Sequence, residues 1–160
     1  EPLDFSVINK DELDPAWVTD YWVVSDIAAQ ILTWNRAATN GVDPTSLADL
    51  FDTEKIPGKR CLEDNYATAY AWALMADGVA PDQLVPYDVE RAQAKLATIK
   101  DQITWYTTGT QIQELIASGE CAIGISWNGR ARAAAADGAG GDPDDRQNAE
   151  KSMLWVPQSP

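Results

Sequence analysis

Short apolar runs alternate with helix-like segments over residues 56–134, and this alternation restricts the possible folds more than any other feature. "IPGKRCLED", "ITWYTTG" and "CAIGISW" each predict a short strand, and a segment with helical features follows each of them. Parallel neighbouring strands need a crossover connection, which is usually a helix. We therefore predict an α/β fold of three layers, in which helices flank a mostly parallel sheet.

The helical segments carry start and stop signals. "NYATAYAWALMADG" is rich in alanine, ends at Gly78 and is expected to be capped by Asp64 or Asn65. "DVERAQAKLATIKDQI" predicts the clearest amphipathic helix, and "TQIQELIASGE" and "RARAAAADG" predict two more. "DPTSLADLFD" predicts a short helix capped by Asp43 or Thr45. Residues 21–35 predict one long strand or two short ones, and "SMLWVPQSP" one more strand.

Charge and composition exclude several classes of function. The 160 residues include 25 acidic and 12 basic side chains, and the net charge of -13 repels nucleic acid and anionic membranes. The sequence has no histidine, which is the commonest zinc ligand and general base, so zinc enzymes and most hydrolases are disfavoured. The acidic segments at 11–14 and 142–145 lack the ligand spacing of a calcium loop, so we expect no metal and no cofactor. No apolar run approaches the ~20 residues of a membrane span, and no basic-then-apolar leader stands at the start of the sequence, so an exported protein is expected to have had its signal removed.

The two cysteines leave two alternatives open. Cys61 and Cys121 are sixty positions apart and belong to no metal-binding or redox motif. They fit one disulfide in an oxidising compartment, and they fit two buried thiols in neighbouring strands equally well. The tryptophans Trp22 and Trp72 are assigned to packing.

Three loops are expected to meet at one edge of the predicted sheet. Residues 63–66, 107–111 and 127–130 each follow a strand, and ligands of open α/β sheets bind beyond the carboxyl ends of the strands. The loops offer aromatic faces, hydroxyls, amides, carboxylates and a guanidinium. This combination indicates a binding surface for a small polar molecule.

Several segments together resemble a known family. "DPTSLADLFDTEKIPGKRCLED", "ITWYTTGTQIQELIASGECAIGISWNGRA" and "MLWVPQ" are similar to the solute-binding receptors of ABC importers, in particular the spermidine/putrescine-binding group. Trp-Asn-Gly after a strand, preceded by "LIASGE", and a Pro-Gly-Lys step before the first strand carry the resemblance, which extends over most of the chain.

The resemblance implies that the sequence is mainly the second lobe of a two-lobed receptor with a type II periplasmic-binding-protein fold. Residues 1–30 would then be the tail of lobe one and the first hinge strand. Residues 31–152 would form lobe two, and residues 153–160 the returning hinge strand. The other half of the ligand site would belong to lobe one.

The resemblance also implies a set of ligand contacts. Trp127 would be a platform for an alkyl amine, although a rim tryptophan packed on the next helix reads the same. Asp64 and Asn65 match a loop with polar or acidic ligand contacts, and residues 107–111 match a loop that gives hydroxyl contacts. Helix capping explains both loops equally well. The expected ligand-binding residues are Trp127, Arg130, Asn128, Asp64, Asn65, Thr108 and Thr110.

Arg130 departs from the polyamine-binding pattern, in which an acid commonly stands three positions after this tryptophan. An arginine repels a polyamine and binds a carboxylate through its planar fork. The ligand would then be zwitterionic, such as an amino acid or γ-aminobutyrate, with Arg130 or Arg132 at its acid end and Asp64 or a lobe-one acid at its amine end. Alternatively, Arg130 points to solvent.

The expected function is that of a monomeric, non-catalytic component of an ABC importer that binds a polyamine or an amino-carboxylate and delivers it to a membrane permease. The expected location is periplasmic or extracellular, with lipid anchoring at the cell surface as a variant. Two other classes stay open: an enzyme with acid–base groups among Glu63, Asp64 and Glu120, and an interaction domain without a small ligand.

Overall fold

The computed structural model describes residues 2–7, 9–24, 28–139 and 153–155. Five strands form one sheet in the order β3-β2-β4-β1-β5. β2 pairs in parallel with β3 and β4, whereas β1 runs antiparallel to β4 and β5. Four of the five strands therefore point the same way, which confirms the mostly parallel sheet. The strands are β1 (Gln30–Trp34), β2 (Lys59–Glu63), β3 (Ile103–Tyr106), β4 (Cys121–Trp127) and β5 (Met153–Trp155).

Four α-helices connect or follow these strands: α1 (Tyr66–Ala76), α2 (Val89–Ala97), α3 (Gly109–Ala117) and α4 (Asn128–Ala134), the last continuing into a π-helical turn, Ala135–Ala139. Asn65 caps α1, since its side chain accepts a hydrogen bond from the N–H of Ala67. None of the helices in the described residues is long and apolar enough to cross a membrane. Short 3-10 turns occupy Lys10–Glu12, Pro15–Trp17, Leu47–Leu50, Pro81–Gln83 and Lys100–Gln102.

Two apolar clusters lie on opposite faces of the sheet and give the three layers. The larger joins Leu32 and Trp34 of β1 and Ile125 of β4 to Trp72 of α1. The smaller joins Tyr106 of β3 to buried side chains of α3 and α4, including Ile112, Ile116 and Ala134. The predicted three-layer architecture is confirmed.

Cys61 and Cys121 form a disulfide that joins β2 to β4. Of the two alternatives left open by the sequence, the structure therefore shows the disulfide. Gly124 lies against the same bridge, because a Cβ at this glycine would be 2.7 Å from the carbonyl oxygen of Cys61.

Within 21–35, the described residues 21–24 and 28–35 do not form the predicted long strand or pair of strands. Among them, only Gln30–Trp34 is a strand, and Val23 forms an isolated bridge with Val18. β-branched and aromatic residues favour a strand only where a neighbouring strand supplies backbone partners. For the described residues 21–24, the only such pairing is the bridge between Val18 and Val23, which is too short to make a strand.

The short helix predicted at 43–52 is a 3-10 turn, Leu47–Leu50, with Ser46 and not Asp43 or Thr45 at the N-cap position. The carboxylate of Asp49 accepts hydrogen bonds from the backbone N–H groups of Thr45 and Ser46. Asp43 instead accepts a hydrogen bond from the indole of Trp34.

The amphipathic helix predicted through residue 103 ends earlier, at Ala97. The N–H groups of Thr98 and Ile99 bond to carbonyls three residues back, which tightens the last turn. Ile103 is the first residue of β3 and not part of the helical face.

Candidate ligand-binding site

An open depression lies at the edge of the sheet where β2 and β4 end and β1 begins. Its volume is about 350 Å³, and its lining residues are Ala28, Gln30, Glu63, Asn65, Thr68 and Trp127. Because β1 is antiparallel to β4, its first residue, Gln30, lies opposite Trp127. The depression therefore lies where the carboxyl ends of the parallel strands β2 and β4 meet the amino end of the antiparallel strand β1.

A chain of hydrogen bonds leads from the core to the depression. The indole Nε1–H of Trp72 donates to Oε1 of Gln30 over 2.9 Å, and Nε2 of Gln30 donates to Oε2 of Glu63 over 2.9 Å. Trp72 is 2% exposed and Gln30 7% exposed, whereas Glu63 is half-buried. The core therefore fixes one oxygen of the Glu63 carboxylate at the depression.

Trp127 ends β4 and is 38% exposed, so part of its indole is accessible beside the depression. The next residue, Asn128, continues the pairing with the chain before β1. Its backbone N–H donates to the carbonyl of Ala29 over 2.8 Å, and its Oδ1 accepts from the N–H of Ala29 over 3.4 Å. Asn128 does not line the depression; its contacts hold the backbone beside Trp127 in place.

Of the two residues predicted after β2, Asn65 lines the depression and Asp64 does not. Asp64 is exposed, and its backbone N–H donates to the carbonyl of Tyr106 over 2.8 Å, which ties the loop after β2 to the end of β3. The lining carboxylate is instead that of Glu63, one residue earlier.

The other predicted residues lie along the same edge but outside the depression. Thr108 caps α3, with its Oγ1 accepting from the N–H of Gln111, and Thr110 is exposed. Arg130 runs past Gly109 at the start of α3, and its Nη1 donates to Oε1 of Gln113 over 3.3 Å. The loop at 107–111 therefore adjoins each of the other two predicted loops. Only the loops at 63–66 and 127–130 contribute residues to the lining of the depression.

The depression is negatively charged. Among the residues that the structure describes, no lysine or arginine lines it, and Glu63 is its one carboxylate. Burial, and secondarily the negative charge of Glu63, raises the pKa of the Tyr106 phenol, whose hydroxyl donates to the carbonyl of Ile125 over 2.8 Å. Tyr106 is therefore a neutral structural donor. The described residues include no group of three or more acidic or cysteine side chains placed to hold a metal ion.

Sequence reasoning did not include Gln30 and Thr68. It placed Glu63 in the loop at 63–66 and among possible acid–base groups, but not among the expected ligand-binding residues. The signal for Gln30 was a polar residue that shares one strand face with Leu32 and Trp34, where a buried amide needs partners. Thr68 carries no comparable signal, since it is one small residue in the first turn of an alanine-rich helix.

An α/β lobe with an open ligand-sized depression at its strand ends is typical of binding proteins that close around small molecules. The model of the bacterial extracellular solute-binding protein family matches residues 3–155, and the chain belongs to this family.

Named relatives agree with this assignment. The chain is 36% identical over 100 residues to a gamma-aminobutyric acid-binding protein of Pseudomonas aeruginosa, a match covering 59% of this chain and 28% of that protein. It is 48% identical to the Atu4243 GABA receptor, with a TM-score of 0.64 over 81% of this chain and 41% of the receptor.

More distant relatives share the fold. The spermidine/putrescine-binding protein PotD of Streptococcus pneumoniae is 16% identical, with a TM-score of 0.64 over 86% of this chain and 44% of PotD. The chain thus spans less than half the length of each of these three relatives.

Proposed function

We propose that the chain is the second lobe of the solute-binding component of an ABC importer, which captures a small amine-bearing solute between two lobes. The observation that carries the proposal is the depression lined by Trp127, Glu63 and Gln30 at the strand ends. In the same proposal, residues 1–30 are the tail of lobe one and the first hinge strand. Residues 31–152 form lobe two, and residues 153–160 are the returning strand.

We propose an amino-carboxylate such as γ-aminobutyrate as the solute, in preference to a polyamine. The relatives named for γ-aminobutyrate are 36% and 48% identical, whereas PotD, at 16%, supports the fold alone. In this proposal the Trp127 face covers the methylene chain of the ligand, and the negative depression holds its amine.

Arg130 supplies the positive charge for the carboxylate end. Its guanidinium lies beside Gly109, and the one hydrogen bond that it makes to the described residues is the 3.3 Å bond to Gln113. An exposed arginine in such a position changes rotamer at little cost. Thr108 and Thr110 contribute hydroxyls from the same edge, Asn65 contributes its amide, and Asn128 fixes the backbone beside the platform.

In this proposal the protein is monomeric and non-catalytic, and closure of the two lobes is the form that the permease recognises. It acts outside the cytoplasmic membrane, in the periplasm or anchored by lipid at the cell surface. The disulfide between Cys61 and Cys121 supports an oxidising compartment.

Isothermal titration of the full-length protein tests the function, with γ-aminobutyrate, putrescine, spermidine and a panel of amino acids. We expect tight binding of γ-aminobutyrate or another amino-carboxylate. Trp127→Ala is expected to weaken it by about tenfold or more, since the aromatic face beside the ligand is lost. Trp105→Ala is the matched control, because Trp105 is 47% exposed on the edge strand β3 and does not line the depression. Absence of binding across the panel contradicts the proposal, as does equal weakening by the two variants.

A further inference from the structure

Glu63 differs from the exposed carboxylates of the chain because its position is set from within the core. Its Oε2 accepts the bond from Gln30, whose own Oε1 is taken by the indole of Trp72. Among the described residues, no other side chain donates to the Glu63 carboxylate, and Oε1 has no protein partner there. One oxygen is thus anchored, and the other is available in the depression.

The indole of Trp72 determines which way the Gln30 amide faces. An indole N–H only donates, so Gln30 must present its carbonyl oxygen to Trp72 and its NH₂ group to Glu63. The reversed amide would place two acceptors against each other at Glu63 and two donors at Trp72. Because Gln30 is only 7% exposed, water cannot supply the hydrogen bonds that a reversed amide would lose.

We propose that Glu63, positioned by the Trp72–Gln30 pair, binds the ammonium group of the solute, and that Gln30 and Trp72 are positioning residues for this contact. The inference rests on the proposed function and deepens it, because it assigns the amine end to Glu63 instead of Asp64. The chemistry recognised is a primary ammonium, whose N–H donors reach the carboxylate while the Trp127 face covers the adjoining methylene group.

The lining of the depression supports this specificity. Thr68 adds a hydroxyl oxygen beside Glu63 that can accept from an ammonium N–H, whereas the Oδ1 of Asn65 already accepts from the backbone N–H groups of Ala67 and Thr68. A quaternary ammonium has no N–H to donate and is larger, so it keeps the attraction to charge and aromatic face but loses the hydrogen bonds. We therefore expect discrimination between γ-aminobutyrate and its N-trimethylated analogue.

The test is isothermal titration of the full-length protein with γ-aminobutyrate and with 4-(trimethylammonio)butyrate, with putrescine in parallel. Glu63→Gln keeps the shape and removes the charge, and is expected to weaken γ-aminobutyrate binding by about 30-fold or more and to reduce its preference over the trimethylated analogue. Glu90→Gln on α2 makes the same change at an exposed position and is expected to leave both affinities within about twofold.

Trp72→Phe removes the indole N–H while keeping an aromatic side chain in the core. We expect it to weaken γ-aminobutyrate binding by about threefold to tenfold in the wild-type background, and to have no further effect in the Glu63→Gln background. A purely structural role for Trp72 would weaken binding equally in both backgrounds, so the double-mutant cycle separates the two roles. Thermal unfolding identifies the variants that fold.

The outcomes distinguish this inference from the proposed function. If the wild type binds none of the probes, the proposed function fails and the inference fails with it. If the wild type binds but Glu63→Gln matches it, or Asp64→Asn alone abolishes binding, the inference is overturned and the proposed function stands. Equal effects of Trp72→Phe in both backgrounds overturn the positioning role.

Discussion

Arg130 lies across Gly109 at the first residue of α3, so closely that a Cβ at this glycine would be 2.8 Å from the arginine Nε. The absence of a side chain at Gly109 is what allows the arginine to run along the start of the helix. The long bond to Gln113 is solvent-exposed and contributes little stability. In the function proposed above, this weakly held guanidinium turns toward the carboxylate of the ligand.

We predict that Arg130→Ala weakens γ-aminobutyrate binding by about 10-fold to 100-fold, because a charge-assisted contact to the ligand carboxylate is lost. Binding of putrescine, which has no carboxylate, is expected to stay the same or improve. Titration calorimetry on the full-length protein measures both affinities. Lys100→Ala is the charge-matched control at another exposed position. Equal affinity of wild type and Arg130→Ala for γ-aminobutyrate would assign Arg130 to solvent.

Gly124 is predicted to be intolerant of a side chain. A Cβ there would lie 2.7 Å from the carbonyl oxygen of Cys61 and 2.9 Å from its Cβ, and the disulfide restrains the strand that would have to move. Gly124→Ala should lower the free energy of unfolding by about 2 kcal/mol. Gly129→Ala is the control, since nothing lies within 4 Å of its built Cβ, and it should change stability by less than about 0.5 kcal/mol. Urea denaturation compares the two, and similar midpoints for both variants would contradict the prediction.

The disulfide is predicted to be a major contributor to stability. It closes a loop with a sequence separation of 60 between Cys61 and Cys121, for which the chain-entropy model gives about 4 kcal/mol. Replacing both cysteines with alanine should lower the free energy of unfolding by roughly that amount and abolish its dependence on reductant. Urea denaturation with and without dithiothreitol measures both effects. A wild type that unfolds at the same urea concentration in the reduced state would refute this account.

The alternation of strand-like and helix-like segments was sufficient to predict the layers and most of the elements. β2, β3 and β4 are short local signals followed by capped helices, so each could be recognised from its own residues. The direction of β1 could not, because antiparallel pairing with β4 joins residues about a hundred positions apart. That reversal brings Gln30 to the depression, which is why Gln30 was not among the expected ligand-binding residues.

Two buried side chains with hydrogen-bond donors show why contacts between distant residues escaped prediction. Trp72 was correctly assigned to packing, yet its N–H orients Gln30, a role that depends on a partner 42 positions away. Arg60 is fully buried in β2 although arginine is usually exposed, because carbonyls of Leu50, Asp52, Ile56 and Gly58 accept its N–H groups. Such networks are set by tertiary geometry and leave no local pattern.

The surface aromatics give a further contrast. Trp105 and Tyr106 alternate on β3, and the structure has the former exposed and the latter buried, as period-two alternation predicts. Trp22 was assigned to packing and this was wrong, since it is 50% exposed outside any strand. Hydrophobicity alone predicts burial only where the residue belongs to an element that packs on the core.

Asp49 is predicted to make the stability of the lobe dependent on pH in the acidic range. Burial acts to raise the pKa of its carboxyl, but the hydrogen bonds from Lys55, at 2.8 Å, and from the backbone of Thr45 and Ser46 outweigh it, so the pKa lies below its usual value. A lowered pKa in the folded state means that the contribution is fully present above the unfolded value of about 3.9 and is lost as the pH falls through the folded value.

Asp49→Asn should therefore lower the free energy of unfolding by about 1 to 2 kcal/mol near pH 7, because the neutral amide loses the ion pair and weakens the bonds to the backbone. The difference from wild type should shrink as the pH falls below about 4, where the wild-type carboxylate also becomes neutral. Urea denaturation at several pH values measures the difference, with Glu54→Gln as the control at an exposed neighbouring acid. A difference that is the same at neutral and acidic pH would mean that Asp49 acts through its shape and not through its charge.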